Sequence, residues 1–322
     1  MCGNGPTWPM RSATSAPYSD LVSGPRLAAV GHVCVDMRVP TQAFPEAGRL
    51  VETPTIDLVL GGSIGNFGRV LRAVGESAYS VGRLGTDALG DIALAGLRTW
   101  ADTRFMTHST TSPTSGTVVF VLPDGERSFI HASGANAEFA TEHLPIERLA
   151  ALGVTHLHLG YAMLLPAFDG ASMANALWRA RALGITTSLD ITWDPTGGWM
   201  RRVGPLLPHV DIFCPNDAEA EALTGESDPQ LAARALLDAG VRRLAVVTLG
   251  AGGVLARWPD GRTIRVDAPA VEVRDTTGAG DCFYAGLHVA LLRGDDDESA
   301  VRFATEAASA AISVDQRWPG AT

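Results

Sequence analysis

DTTGAGDCF, Asp275 to Phe283, sets two threonines and two glycines directly before an aspartate, and the chain then runs apolar. A surface loop has no need of so many small residues beside one carboxylate. A site where backbone approaches a charged ligand does need them. Small residues let consecutive N–H groups face an anion, and a helix that starts there adds positive potential. VEVRD (271–275) reads as a strand and DCFYAGLHVALLRG (281–294) as a helix. The stretch would then lie at the carboxyl end of a strand, where open α/β sheets bind ligands. Two readings of Asp281 are open. It caps a helix after a tight turn, or it is a base beside an anion hole and takes a hydroxyl proton during phosphoryl transfer. That transfer has a loose transition state, so positioning and charge stabilisation supply most of the catalysis. A carboxylate of ordinary basicity then suffices.

Around this stretch the chain alternates. VTHLHLG (154–160), ITTSLDI (185–191), VDIFC (210–214) and RRLAVVTLG (242–250) read as strands. SMANALWRARALG (172–184), DAEAEALTG (217–225), QLAARALLDAG (230–240) and ESAVRFATEAASAAISV (298–314) read as helices. Such alternation predicts an α/β fold, a mostly parallel sheet with helices on both faces. Upstream, LAAVGHVCVDMRV (27–39) is β-rich. GGSIGNFGRVLRAVG (61–75) places Ile64, Phe67, Val70, Leu71 and Val74 at helical spacing before a C-cap at Gly75. SAYSVGRLG (77–85) predicts a strand and ALGDIALAGLRTWA (88–101) a helix. GTVVFVLPDGERSFIHA (116–132) predicts a hairpin around Pro-Asp-Gly-Glu. Segments of about 37–60 and 114–132 break the rhythm and predict a small β-sheet lid. Residues 27–322 read as one domain. Residues 1–26, rich in Ser, Pro and Gly, read as a flexible tail without a signal-peptide pattern.

Composition removes several function classes. The formal net charge of −10 over 322 residues argues against nucleic acid as a partner. All 25 basic residues are Arg, so there is no Schiff-base lysine and no Walker P-loop. No GxGxxG follows the first strand or occurs elsewhere, which counts against a dinucleotide-dependent oxidoreductase. No run of about 18 apolar residues predicts a membrane span. Cys2, Cys34, Cys214 and Cys282 stand singly, as free thiols do in a reducing cytoplasm. His156 and His158 alternate without a third ligand nearby and read as core residues. Asp190 ends a strand at the ligand face, and GDDDES (294–299) reads as a solvated helix start.

DTTGAGDCFYAGL (275–287) closely resembles the C-terminal signature of the ribokinase-like sugar kinases, also called the phosphofructokinase B family. The resemblance covers nearly the whole chain from about Leu27. GGSIGNFG is similar to the family's N-terminal GGxxxN segment, and GRLGTDALGD (82–91) to its GxxGxDxxG segment. SGAN (133–136) resembles the turn after the lid, CPNDAEAEALTG (214–225) the NxxE element, and TLGAGG (248–253) the nucleotide loop.

The resemblance implies a ribokinase-like fold and an ATP-dependent phosphotransferase acting on a hydroxyl of a sugar. Asp281 matches the catalytic base, and Gly278, Ala279 and Gly280 the backbone anion hole. Asn216 and Glu219 match the pair that organises Mg2+ and the nucleotide phosphates, mostly through water. Their spacing fits a capping box equally well. Thr248 and Gly250 match nucleotide contacts. Asp36, Gly61, Gly62 and Asn66 match the acceptor contacts, where Asp accepts from vicinal hydroxyls and Asn both donates and accepts. Many members also bind a monovalent cation near the anion hole, with Asp275 at one ligand position. Lid sheets often pair between subunits, so a cytoplasmic homodimer is expected. Three departures stand out. Cys34 replaces an Asn, Ser63 replaces a Lys, and His288 replaces a small or aliphatic residue. A nucleoside kinase of the same fold is the second reading, with Phe120 or Phe129 as a platform for a base. A non-catalytic sugar sensor is the third, and it predicts loss of the base or anion hole.

Overall fold

The computed structural model describes residues 24–123, 127–194 and 196–314. Cys2, almost all of the expected tail and residues 124–126 of the expected hairpin turn lie outside them. In chain order come β1 (Leu27–Gly31), β2 (Cys34–Pro40), β3 (Asp57–Gly61), α1 (Gly62–Val74), β4 (Ala78–Gly85), α2 (Ala88–Leu97) and β5 (Ala101–Ser109). Then follow β6 (Gly116–Val121), β7 (Arg127–Ala132), α3 (Ile146–Ala151), β8 (His156–Gly160), α4 (Ala171–Ala182) and β9 (Thr186–Leu189). The chain continues through α5 (Trp199–Val203), β10 (Ile212–Phe213), α6 (Asp217–Thr224), α7 (Pro229–Asp238) and β11 (Leu244–Thr248). It closes with β12 (Val254–Arg257), β13 (Thr263–Val266), α8 (Ala279–Leu292) and α9 (Asp297–Ile312).

The main sheet has the order β13-β12-β11-β10-β9-β8-β1-β4-β5. Pairings from β11 through to β5 are parallel, and β12 and β13 add an antiparallel edge. Period-2 alternation splits the core between two faces. Leu27 and Ala29 of β1 pack with Ile64, Phe67 and Leu71 of α1 and with α8 and α9. Ala28 and Val30 pack the other way, against Met173 and Leu177 of α4 and Leu236 of α7. Each such buried Leu or Phe contributes about 1.5–3 kcal/mol. The expected helices on both faces of a parallel sheet are thus present.

The β-rich run 27–39 is not one strand. It leaves the main sheet after Gly31, where φ is +129° and a Cβ would strike the Gly160 backbone. The bend is held by buried Asn136. Its Oδ1 accepts from Val33 N at 3.3 Å, and its Nδ2 donates to Val33 O at 2.8 Å. β2 then enters a second sheet of order β3-β2-β6-β7, which is the lid. The lid begins at Cys34, three residues before the expected boundary. Cross-strand register puts Asp36 beside Thr117 and His131, and Arg38 beside Val119 and Phe129, all on one face. Met37, Val118 and Ile130 take the other face, where Ile130 is 65% exposed. Phe120 shares that outer face and meets Phe44 edge-on at 5.1 Å.

One expected strand is absent. VEVRD (271–275) forms no ladder. The N–H groups of Arg274 and Asp275 both donate to Ile312 O, at 2.9 and 3.1 Å. The segment is pinned to the end of α9 instead of the sheet.

Candidate active site

The carboxyl ends of β1, β8, β9, β10 and β11 converge on the N-terminus of α8. Gly278 is the N-cap of α8, with φ +74°, a conformation that L residues rarely adopt. A Cβ there would also collide with the Asn66 side chain. The glycine is therefore required twice, by the turn and by its neighbour. A Cβ on Gly280 would meet nothing within 4 Å, so the space over the first turn of α8 is open. Among the described residues, no acceptor is bonded to the N–H of Gly278 or Gly280. Ala279 differs, because its N–H turns back to Thr276 O at 3.2 Å. Two of the three expected anion-hole donors thus remain free for a ligand.

Asp281 follows in that first turn and is 2% exposed. Its Oδ2 accepts from Asn66 Nδ2 at 3.0 Å and from Tyr161 OH at 2.8 Å. Its Oδ1 is buried and has no amide or hydroxyl partner among the described residues, and the Asp190 carboxyl lies within hydrogen-bond reach of Asp281. Burial pushes the carboxyl up to about 7, against the hydrogen bonds from Tyr161 and Asn66 and the charge of Arg69, which lower it. Asp190, 7% exposed at the end of β9, faces it. Burial, then the charge of Asp281, then that of Glu219 raise Asp190 well above the carboxylate range. Burial thus raises both carboxyls, and the two share their titration as a pair.

Two residues that sequence reasoning did not single out shape this region. Tyr161 sits at φ +51°, the one positive-φ residue other than glycine among the described residues. Such backbone clusters at functional sites because the surroundings must hold it there. His32 is 2% exposed, and its Nε2 lies 3.4 Å from Nε2 of His131, which comes down from the lid. Nδ1 of His131 meets Thr117 Oγ1 at 3.1 Å. Burial brings His32 down to about 3, so it is neutral. No local spacing could have paired His32 with His131. Their contact exists only because β2 leaves the main sheet.

The acceptor residues expected from sequence are brought together in part. Asp36 is held by Cys34 Sγ, which donates to its Oδ1 at 3.1 Å, and burial raises its carboxyl. A Cβ on Gly61 would run into that carboxylate, and Gly62, at φ +75°, lies against the His32 carbonyl. Asn66 is turned toward Asp281. Ser63, in place of the usual Lys, is buried and donates to His32 O at 3.3 Å.

On the nucleotide side, Asn216 and Glu219 form the capping box. Asn216 Oδ1 accepts from Glu219 N at 2.9 Å, and Glu219 Oε2 accepts from Asn216 N at 3.0 Å. Thr248 bridges to Asn216 between strands. Gly250, at φ +54°, has open space where a Cβ would stand. Among the described residues no three His, Cys, Asp or Glu side chains converge on one point; the amide of Asn216 and the carboxylate of Glu219 are the oxygen donors that Mg2+ would take here.

Asp275 is expected as a cation ligand. Its Oδ2 pairs with Arg38 Nη2 and its Oδ1 with Arg127 Nη2, each at 2.8 Å. Of the two alternating histidines, His158 is a core residue and His156 is half-buried at the start of β8. His158 Nδ1 meets Ser188 Oγ at 2.8 Å, and Ser188 Oγ meets His288 Nε2 at 2.6 Å. Phe67 stacks on His158 at 4.8 Å. Cys34, Cys214 and Cys282 are free and buried. A depression of about 540 Å3 lined by Pro25, Arg72, Glu76 and Trp100 opens at the amino ends of β1, β4 and β5. That edge is opposite the one where such sheets bind ligands. Among the described residues no helix is long and apolar enough to cross a membrane.

The pfkB family carbohydrate kinase model matches residues 25–316. A ribokinase from Arabidopsis thaliana is 29% identical over 302 residues, which are 90% of this chain and 76% of that protein. A ribokinase from Mus musculus is 28% identical over 268 residues, 81% of this chain and 80% of that one. The structure of the Arabidopsis thaliana ribokinase complexed with ribose and ATP superposes with a TM-score of 0.79 at 26% identity. It covers 90% of this chain and 93% of that one.

Proposed function

The chain belongs to the pfkB family of carbohydrate kinases and is an ATP-dependent sugar kinase; from that premise we propose that Asp281 is its catalytic base. The observation that carries this reading is a buried carboxylate in the first turn of α8 whose Oδ2 is held by Asn66 and Tyr161 and whose Oδ1 has no amide or hydroxyl partner among the described residues. Oδ1 takes the proton of an acceptor hydroxyl as that hydroxyl attacks the terminal phosphoryl group of ATP. Asn66 and Tyr161 hold Oδ2, so the base presents one fixed face. The N–H groups of Gly278 and Gly280, with the α8 dipole, hold charge on the transferred group. Asp36 accepts from acceptor hydroxyls, and Thr248 and Gly250 line the nucleotide. Mg2+, when bound, neutralises the nucleotide phosphates, with Asn216 and Glu219 as the residues that would hold it through water.

The acceptor is a sugar with vicinal hydroxyls. Phe129 favours a nucleoside as the second reading. It stands on the cleft face of the lid and is 58% exposed, with no ring partner among the described residues. The test is Mg2+-dependent ATP consumption over a panel of sugars, sugar phosphates and nucleosides, with Asp281→Asn alongside. We expect one acceptor class to turn over and the variant to lose about 10²–10⁴-fold in kcat while keeping its fold. Unchanged turnover in the variant would remove the assigned base. Tight binding of an acceptor without turnover would indicate a sensor.

A further inference from the structure

Five oxygen atoms surround the start of the anion-hole loop, and each accepts from a guanidinium. Asp275, 3% exposed, gives Oδ2 to Arg38 of β2 and Oδ1 to Arg127 of β7. Oδ1 also accepts from Thr277 N at 2.9 Å. Arg69 of α1 donates Nη1 to Thr277 O at 3.0 Å and Nη2 to Ala311 O. Arg127 adds a bond from Nη1 to Thr277 Oγ1 at 2.5 Å. A loop carboxylate and neighbouring main-chain carbonyls are the kind of oxygens that a hard cation takes. Here guanidinium groups already hold them. The same guanidiniums also face other carboxylates, Arg38 toward Asp36 and Arg69 toward Asp281, so charge near the loop is already balanced and an added alkali cation would meet occupied donors. The residues around Asp275 therefore do not fit the monovalent cation that the resemblance implies.

We propose that Arg38, Arg69 and Arg127 are positioning residues that supply, as fixed charge, what a monovalent cation would supply beside the anion hole, so that this kinase needs no alkali ion. Arg69 ties the loop to the end of α9. Arg38 and Arg127 come from the lid, so part of this charge reaches the loop through the lid sheet. The inference rests on the reading of residues 276–280 as a phosphate-binding loop.

The experiment measures Mg2+-ADP binding by calorimetry and the thermal unfolding midpoint of the full chain. Both are run in choline chloride and in potassium chloride at matched ionic strength. We expect Kd to agree within about twofold and the midpoint to be the same in both salts. A tenfold tightening or a raised midpoint in potassium alone overturns the proposal. Arg69→Met uncovers Thr277 O and Ala311 O. It should weaken ADP about tenfold in choline, with potassium restoring part of the loss. A variant that binds like the parent in both salts also overturns it. If Arg69→Met does not fold, Arg127→Gln is read by the same comparison. If ADP fails to bind in either salt, the phosphate-loop reading falls, and the salt dependence of the midpoint still decides whether a cation is bound.

Discussion

The two walls of the cleft are made of different material. On the phosphate wall, backbone carries the geometry: Gly278 turns at positive φ, Gly280 leaves space open, and α8 begins where the anion would lie. On the lid wall, side chains carry it: Asp36, Thr117 and His131 touch in sequence across three strands, and Arg38 and Arg127 reach down to Asp275. A backbone site tolerates few residue types and suits a group common to all phosphoryl transfers. A side-chain site can change residue by residue, which suits the choice of acceptor. Cys34 and Ser63, two of the three departures from the family pattern, both lie at the junction of α1 and the lid.

This contrast can be tested from its strongest point downward. Gly278→Ala should do the most damage. It forces a left-handed alanine, worth about 1–2 kcal/mol, and drives a methyl group into Asn66. We expect kcat to fall by two orders of magnitude or more, since Asn66 also holds the base, and the unfolding midpoint to drop. Wild-type turnover would show that backbone shape is not what this wall supplies.

Tyr161→Phe should act more mildly and in a defined direction. The phenol stabilises ionised Asp281, whose pKa is about 7. Activity requires the ionised base, so it rises as pH passes upward through that value. Losing the donor moves the acid limb of kcat/KM to higher pH by about one unit, with a smaller loss at high pH. A uniform loss at every pH would mean that Tyr161 only fills space.

The smallest effect on turnover belongs to the outer face of the lid. Ile130→Asp should change kcat per site by less than about twofold. If two copies pair across that face, the same change should convert a dimer to a monomer in sedimentation. A monomeric parent at micromolar concentration would remove the dimer.

Much of the phosphate wall was legible in sequence because local chemistry dictates it. Paired glycines, a capping Asn-Glu pair and an aspartate in a first helical turn each imply their own backbone. The βα rhythm was legible for the same reason. What was missed depends on distant partners. VEVRD has the composition of a strand, but its N–H groups find Ile312 O and no sheet edge. β5 carries Asp102, Arg104, Thr107 and His108 along its length, so its pattern does not alternate as a half-buried strand would. β12 and β13 are four-residue strands, too short for an alternating pattern to stand out in sequence. Tyr161 has no sequence signal at all, since its left-handed backbone is imposed by what surrounds it. The lid arginines could be counted in the sequence, but their convergence on Asp275 could not.

The chain of His158, Ser188 and His288 beneath the cleft has a consequence for acid tolerance. Burial lowers His158 to about 3 and His288 well below its ordinary value of 6.5. Both are neutral in the fold at neutral pH, and both take up a proton near 6.5 once unfolded. Their contribution to stability is therefore complete above pH 6.5 and shrinks as the pH falls toward their folded values. At pH 5, a buried histidine shifted this far costs roughly 2 kcal/mol. Asp281, raised to about 7, and Asp190 take up protons in the fold over the same range and pull the other way, so in mild acid the two buried clusters oppose each other.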